Sequence, residues 1–410
     1  NIKFKLGNLQ VLLLLSFFGY FGNNTSMSVM KAHNYVILGS LFLWFSAFIY
    51  VPVLPIYSKD LGANLQFIGI IMGSYAVGQI IFRIPIGYLS DRLKSRKLFS
   101  VLSSIVSFLG AAYLFISKNP NDILLGRILT GVGAAGWVSI SVYYSSFFPK
   151  NERFKSSASI LASGILGIFL GSIVSGYISD LLGIKACFLI SMISALFSTL
   201  LFLISKEKPF DIKSQFSTLQ FISLLSNKLL ICLCLIGILI QFINWSINFS
   251  YFPIYLNGLG YSDSIVGNVI ASFTLANFIG ILSSPYIFKR FRFLKIFIFS
   301  AILISATTLI VPYFENLILL IALRILNGLS VGALLAYCSS SIVRGFQENY
   351  QASAMGIYQS LFSVGIFLGP ILSGLIGSQI NLASVFILSS FISLLLIPVS
   401  FFMKSKEFAI

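Results

Sequence analysis

Apolar stretches long enough to cross a membrane alternate with short polar segments along the chain from residue 34 onward. Placing helices on them gives twelve spans, at roughly 34–56, 65–88, 98–116, 123–147, 158–177, 184–205, 228–253, 265–288, 296–312, 317–343, 353–374 and 384–403. A helix needs about 20 apolar residues to traverse the hydrocarbon, and a barrel strand only about ten, so runs of this length predict helices. Helices also satisfy their own backbone N–H and C=O groups, which lipid demands. Composition agrees: 57% of the 410 residues are hydrophobic, 9% are charged and the mean hydropathy is +0.97, more than a soluble domain could keep off its surface. The expected fold is an all-α membrane protein.

The pattern is also written twice. Pro55-Ile56-Tyr57 ahead of Leu61-Gly62 returns as Pro253-Ile254-Tyr255 ahead of Leu259-Gly260, and Gly167-Ile168-Phe169-Leu170-Gly171 returns as Gly365-Ile366-Phe367-Leu368-Gly369, both 198 residues later. Arg127-Ile128-Leu129 with Gly131 returns as Arg324-Ile325-Leu326 with Gly328 at a shift of 197. Collinear copies predict two pseudosymmetric six-helix halves, an organisation typical of transporters. The expected division is an extension at 1–33, halves at 34–205 and 228–403, a linker at 206–227 and a tail at 404–410.

The formal charge of +16 is not a nucleic-acid footprint. Of the 27 Lys and Arg, 21 fall on the side shared by the N-terminus, the linker and the tail, while Lys59, Lys118 and Lys185 face the other side. The remaining three, Arg83, Arg127 and Arg324, lie inside spans. This distribution puts both termini in the cytoplasm of a multi-pass cell-membrane protein. Scattered over short loops, these cations form no groove in which nucleic-acid bases could stack.

Cys187, Cys232, Cys234 and Cys338 all fall in predicted spans and match no zinc or disulfide pattern, so neither metal nor cofactor is expected. Residues 1–33 leave three readings open: an interfacial extension, an extra span or a targeting segment.

The segment Gly87-Tyr88-Leu89-Ser90-Asp91-Arg92-Leu93-Lys94-Ser95-Arg96-Lys97 between spans 2 and 3 closely resembles the GxLxDRxGRRK signature of the major facilitator superfamily. With twelve spans and two related halves, the resemblance covers residues 34–403 and is most similar to the drug and metabolite efflux branch. It implies two six-helix bundles with substrate held between them, and a loop that closes the cytoplasmic side when the cavity faces outward. Gly87, Asp91, Arg92, Arg96 and Lys97 are therefore candidate gating residues, with headgroup anchoring as the alternative. Lys94 stands where the family usually has Gly, and Ser95 where it usually has Arg.

Small residues four apart let helices approach closely, which marks Gly167 and Gly171 in span 5, and Gly365 and Gly369 with Pro370 in span 11, as further gating candidates. The resemblance to an antiporter glycine-proline signature is partial, because Ser172 occupies in span 5 the place of Pro370. An arginine in hydrocarbon must face protein or water, or snorkel to the headgroups. Both readings are open for Arg127 and Arg324; the first makes them cavity residues, and the resemblance links the Arg127 position to proton coupling. Arg83, a turn from the cytoplasmic end, is expected to snorkel or to support the Asp91 loop.

Polar and aromatic residues within the spans complete the candidate cavity: Tyr75 and Gln79 in span 2, Gln241, Asn244, Trp245 and Asn248 in span 7, Asn277 in span 8, and Tyr358 and Gln359 in span 11. Trp44 and Tyr50 form a more apolar wall in span 1. Each could instead make an ordinary interhelical hydrogen bond. No predicted span contains Asp, Glu or His, with His33 just before the first, so coupling would run through Asp60, Asp91 or a proton carried by the substrate. The expected function is a secondary transporter that exports a small organic solute, coupled to protons. A facilitator or importer of a neutral or anionic metabolite, and a non-transporting receptor or lipid-handling protein, are the alternatives. No nucleotide loop, HExxH or serine elbow supports an enzyme. A closed bundle needs no second chain, so a monomer in contact with membrane lipid is expected.

Overall fold

The computed structural model describes residues 27–149, 153–207, 224, 226–346 and 348–403. The tail at 404–410, most of the linker and most of the N-terminal extension lie outside the described residues. The regular structure of the described residues is all helical, and the chain is multi-pass. Among the described residues, eleven helices are long and apolar enough to cross a membrane, and the apolar part of the first helix, Ala32–Phe48, is shorter.

Span 1 comprises Met27–Phe48 and, across a break, Leu54–Asp60; span 2 is Leu65–Arg92 and span 3 Arg96–Ile116. Span 4 joins Pro120–Ala135 to Trp137–Ser145, span 5 is Arg153–Leu182 and span 6 Ile184–Ile204. Span 7 runs from Lys228–Ser246 through a π-helical turn at Ile247–Tyr251 into Phe252–Gly258. Spans 8 to 11 are Asp263–Arg290, Phe293–Leu309, Leu317–Gly345 and Glu348–Gln379, and span 12 joins Leu382–Leu394 to Leu396–Phe402. Short connections make successive spans antiparallel. One end of the bundle therefore carries Arg92, Lys94, Arg96, Lys97, Lys289, Arg290 and Arg292, and the other carries Asp60, Asp122, Asp180, Asp263 and Glu315. We call these the basic and acidic ends.

The helices run past the hydrophobic stretches that predict them, which corrects the sequence expectation for His33. Asp60, Asp91, Asp122, Asp180 and Asp263 lie within helices, at their ends, because the polar turns beyond the apolar core remain helical. His33 lies inside span 1 rather than before it, buried edge-on against Phe148 at 5.4 Å.

The break in span 1 and the π turn in span 7 are the same feature in two copies, since 49–53 and 247–251 are 198 residues apart. Both precede the Pro-Ile-Tyr phrase. A proline lacks the N–H for a helical bond, and its ring clashes with the carbonyl four residues earlier, at Val51 for Pro55 and Phe249 for Pro253. Asn119 and Asn316, 197 residues apart, both cap the next helix through their side-chain oxygens, so the repeat extends to the helix starts.

Within each half, matching glycines bring backbones together. A Cβ on Gly131 would stand 2.1 Å from the Tyr75 carbonyl, and one on Gly328 would stand 2.5 Å from the Phe273 carbonyl. Gly167 and Gly171 lie against span 1, and Gly365 and Gly369 against span 7, each facing main-chain atoms. Lipid supplies no hydrophobic drive between helices, so such close packing must hold them. Gly356, in the same helix as Gly365, has nothing near its Cβ position. Gly365→Ala, with its methyl 2.1 Å from the Ile238 carbonyl oxygen, should cost about 1–3 kcal/mol. Gly356→Ala should instead stabilise the helix by up to ~1 kcal/mol. Thermal unfolding in detergent should show opposite shifts for the two variants.

Candidate functional site

The halves meet where spans 2 and 11 pack together and where spans 5 and 8 pack together. Along the first seam, Gly69 approaches the Pro370 carbonyl and Gly73 the Phe367 carbonyl. The Tyr251 hydroxyl, on the π turn, lies 2.9 Å from the Leu65 carbonyl oxygen and 2.8 Å from that of Pro370, tying both halves to one side chain. Toward the basic end, Arg83 donates from Nη1 to the Gln359 carbonyl at 2.6 Å and to Ser363 Oγ at 3.1 Å, and from Nη2 to Gln79 Oε1. Its guanidinium also lies 5.5 Å from the Phe362 ring centroid. Arg83 neither snorkels nor supports the Asp91 loop: it is buried and crosses the seam, because Gln79 one turn earlier and the span 11 backbone offer acceptors that lipid lacks.

The second seam closes at the acidic end. Asp180, near the end of span 5, accepts the first N–H groups of span 8, Asp263 N and Ser264 N, at 3.0 Å each. Ser179 Oγ donates to Asp263 Oδ2 at 2.5 Å, and Asn268 Nδ2 donates to Tyr177 at 3.1 Å. Gly176 and Gly267 let the helices touch here. The leading N–H groups of a helix lack intrahelical partners, so a carboxylate from the other half both caps span 8 and complements its dipole. Sequence reasoning missed this latch. Ser262-Asp263 does signal a helix start, but nothing local pairs it with Asp180, some 80 residues earlier.

Between the seams lies an aromatic and polar group drawn from both halves. Arg127 is fully buried, with the Tyr75 ring centroid at 4.5 Å and that of Tyr50 at 5.9 Å. Tyr75 stacks on Trp245 of the other half, with centroids 5.2 Å apart and planes at 20°. Phe48 and Phe249 continue the cluster around Trp245. On span 7, Asn248 donates to Asn244 at 3.0 Å, and Asn244 donates to Gln241 at 3.1 Å. Tyr50 is positioned by the break in span 1, and Asn248 by the π turn.

The remaining predicted cavity residues do not join this group. Gln79 and Gln359 belong to the Arg83 network. Tyr358 packs inside the C-terminal half over Gly237, facing the Cys234 and Cys338 thiols. Asn277 lies partly buried where span 8 meets Gly332 of span 10. Arg324 is fully buried, so it does not snorkel, but it sits within its own half. There Phe252 lies 4.9 Å away and Nη2 donates to the Thr307 carbonyl at 3.4 Å. Arg127 and Arg324, matched in sequence, are thus not neighbours.

The signature loop is engaged within the N-terminal half. Glu207 accepts Arg96 N at 2.6 Å, Ser95 Oγ at 3.1 Å and Lys97 N at 3.2 Å, while Lys97 Nζ donates to the Leu203 carbonyl at 2.7 Å. Arg92 is exposed at the end of span 2, and Gly87 lies beside Val138. The side chain of Asp91 lies outside the described residues. Lys94 adopts φ 51°, the left-handed conformation that the usual Gly would supply, so the tight turn is kept at a conformational cost.

A sequence profile described as Major Facilitator Superfamily matches residues 36–292 and 233–408. The chain is 28% identical over 399 residues to an uncharacterized transporter of Buchnera aphidicola subsp. Baizongia pistaciae, covering 90% of this chain and 97% of that protein. It is 25% identical over 376 residues to multidrug resistance protein MdtG of Proteus mirabilis, covering 87% and 92%. The solved D-xylose-proton symporter shares the fold with a TM-score of 0.75 at 15% identity, covering 92% and 97%.

Two substitutions probe this geometry. Lys94→Gly should raise thermal stability by about 1 kcal/mol through relief of the left-handed backbone, read as a higher melting temperature. Asp180→Ala removes the cap and should weaken the closed seam by about 0.5–2 kcal/mol. Amide hydrogen exchange should then accelerate both at 263–266 and along 172–177 on the facing helix. Acceleration at 263–266 alone would mark Asp180 as a cap without a latching role.

Proposed function

The chain belongs to the Major Facilitator Superfamily, and from that premise we propose that it is a secondary transporter that exports a small organic solute by alternating access, coupled to protons. The observation that carries this reading is the latch between spans 5 and 8. It joins two internally packed halves at one end through a few hydrogen bonds that can be exchanged for water. Alternating access needs such a two-state seam.

The excess of Lys and Arg at the basic end supports a cytoplasmic placement of that end. On this orientation the latch shuts the outer face, and the site around Arg127 would load from inside once the Arg83 bridge between spans 2 and 11 releases. The signature loop fits the same state, since its helix start is held by Glu207 of its own half rather than by the other half. Gly87, Asp91, Arg92, Arg96 and Lys97 would gate the opposite state. Proton coupling is assigned to the acidic end, where Asp180 and Asp263 join the halves and Asp60 lies in electrostatic range of Asp263. Export is supported by the likeness to a protein named for multidrug resistance. A facilitator is the second reading, favoured because every carboxylate within the described helices stands at a helix end rather than at mid-span.

Inverted and right-side-out vesicles, incubated with a panel of radiolabelled sugars, carboxylates and amphipathic dyes under an imposed proton gradient, separate these readings. The expected result is accumulation in inverted vesicles when their lumen is acidic, lost in Asp180→Asn while gradient-free exchange persists. Flux that ignores the gradient would leave the facilitator, and gradient-driven uptake in right-side-out vesicles would reverse the direction.

A further inference from the structure

Among the described residues, Arg127 is the buried side chain with the most unpartnered polar atoms. It is fully buried, yet Nε, Nη1 and Nη2 all lack a hydrogen-bond partner among the described residues, as do the buried hydroxyls of Tyr50 and Tyr75, whose rings flank it. The two rings offer cation–π attraction, which offsets part of the desolvation of a guanidinium but leaves its N–H groups unused. A buried charge with no partner is strongly unfavourable, and five unsatisfied polar atoms on three neighbouring buried side chains mark an incomplete site.

The other buried arginines make the contrast. Arg83 uses both terminal nitrogens on acceptors of the protein. Arg324, the repeat partner of Arg127, has a carbonyl on Nη2 and an aromatic ring over it. At the positions that correspond to Tyr50 and Tyr75, 198 residues later, stand Asn248 and Phe273. The pair of hydroxyls beside an unpartnered guanidinium therefore belongs to the N-terminal copy alone. It borders the seam, because Tyr75 stacks on Trp245 of the C-terminal half, and Trp245 extends into an apolar wall with Phe48 and Phe249.

We infer that Arg127, Tyr50 and Tyr75 form the anion-binding subsite of the transport cavity, and that the solute is an organic anion. Its carboxylate or phosphate would take the guanidinium and the two hydroxyls, and its planar apolar body would lie on Trp245, Phe48 and Phe249. A guanidinium matches both anion types through paired N–H donors, and the tyrosine hydroxyls can each donate one more bond. The inference rests on the transport reading for the use of the site, but binding can be tested without it.

The test uses the full chain in lipid nanodiscs, titrated with benzoate and phenyl phosphate, with benzamide as the neutral isostere and inorganic phosphate as the head alone. Trp245 beside the site supplies a fluorescence signal, and thermal protection gives a second readout. Expected are binding of benzoate or phenyl phosphate at least tenfold tighter than benzamide, weakening of at least tenfold in Arg127→Gln, and a smaller weakening in Tyr75→Phe. Arg127→Lys, which keeps the charge and loses the paired donors, should fall between wild type and Arg127→Gln. The wild-type comparison of anion with isostere holds even if Arg127→Gln fails to fold. Equal binding of benzamide and benzoate, or anion binding unchanged in folded Arg127→Gln and Tyr75→Phe, would overturn the assignment. Anion binding without flux in vesicles would keep the subsite and sink the transport reading, whereas flux of neutral solutes with no preference for anions would do the reverse.

Discussion

Lipid offers no hydrogen bonds, and the obligation to satisfy every buried polar group within the protein shapes this fold from backbone to site. It makes the chain helical and draws hydroxyls toward carbonyls, as when Ser198 donates to the Gly39 carbonyl and Ser194 to that of Phe42 between spans 6 and 1. It also sorts the three arginines. Arg83 meets most of it by crossing the seam, with both terminal nitrogens bonded and only Nε left over, Arg324 meets a smaller part inside its own half, and Arg127 meets none of it. The exception stands between the halves, where a transported solute would complete the set.

The same obligation explains why the seams can open. Glycine contacts within each half set backbone against backbone, and nothing polar must change there for the halves to move as bodies. The latch between spans 5 and 8 is different in kind. It consists of a carboxylate on two helix-start amides and a hydroxyl on a second carboxylate, at the rim of the bundle where water can replace each bond. The proline-induced break and π turn add points on spans 1 and 7 where a helix can flex without losing a regular ladder.

Much of the fold was legible in the sequence because hydropathy and repetition act over long windows. Spans, halves and the duplicated Pro-Ile-Tyr phrase could be read directly, although the phrase gave no hint that it would break one helix and widen the other. Helix ends were less legible, since Asp180 and Asp263 lie in polar turns that hydropathy trims away but hydrogen bonding keeps helical. The site was legible only in part. Arg127, Tyr75 and Trp245 come together, but Gln79 was taken by Arg83, Tyr358 turned into its own half and Arg324 found Phe252. Choosing a partner is a tertiary event, and two glutamine-like residues in similar spans carry no local mark of which arginine they will meet.

The central claim is that the halves rock about a site between them, closing one end as the other opens. Paired spin labels report this most directly: one pair at the exposed Tyr88 and Tyr286 of the basic end, the other at Leu181 and Ser262 of the acidic end, each measured in nanodiscs at several pH values. Reciprocal distance distributions, lengthening at one end as they shorten at the other, are the expected result. Distances that stay fixed at both ends, or change together, would contradict it.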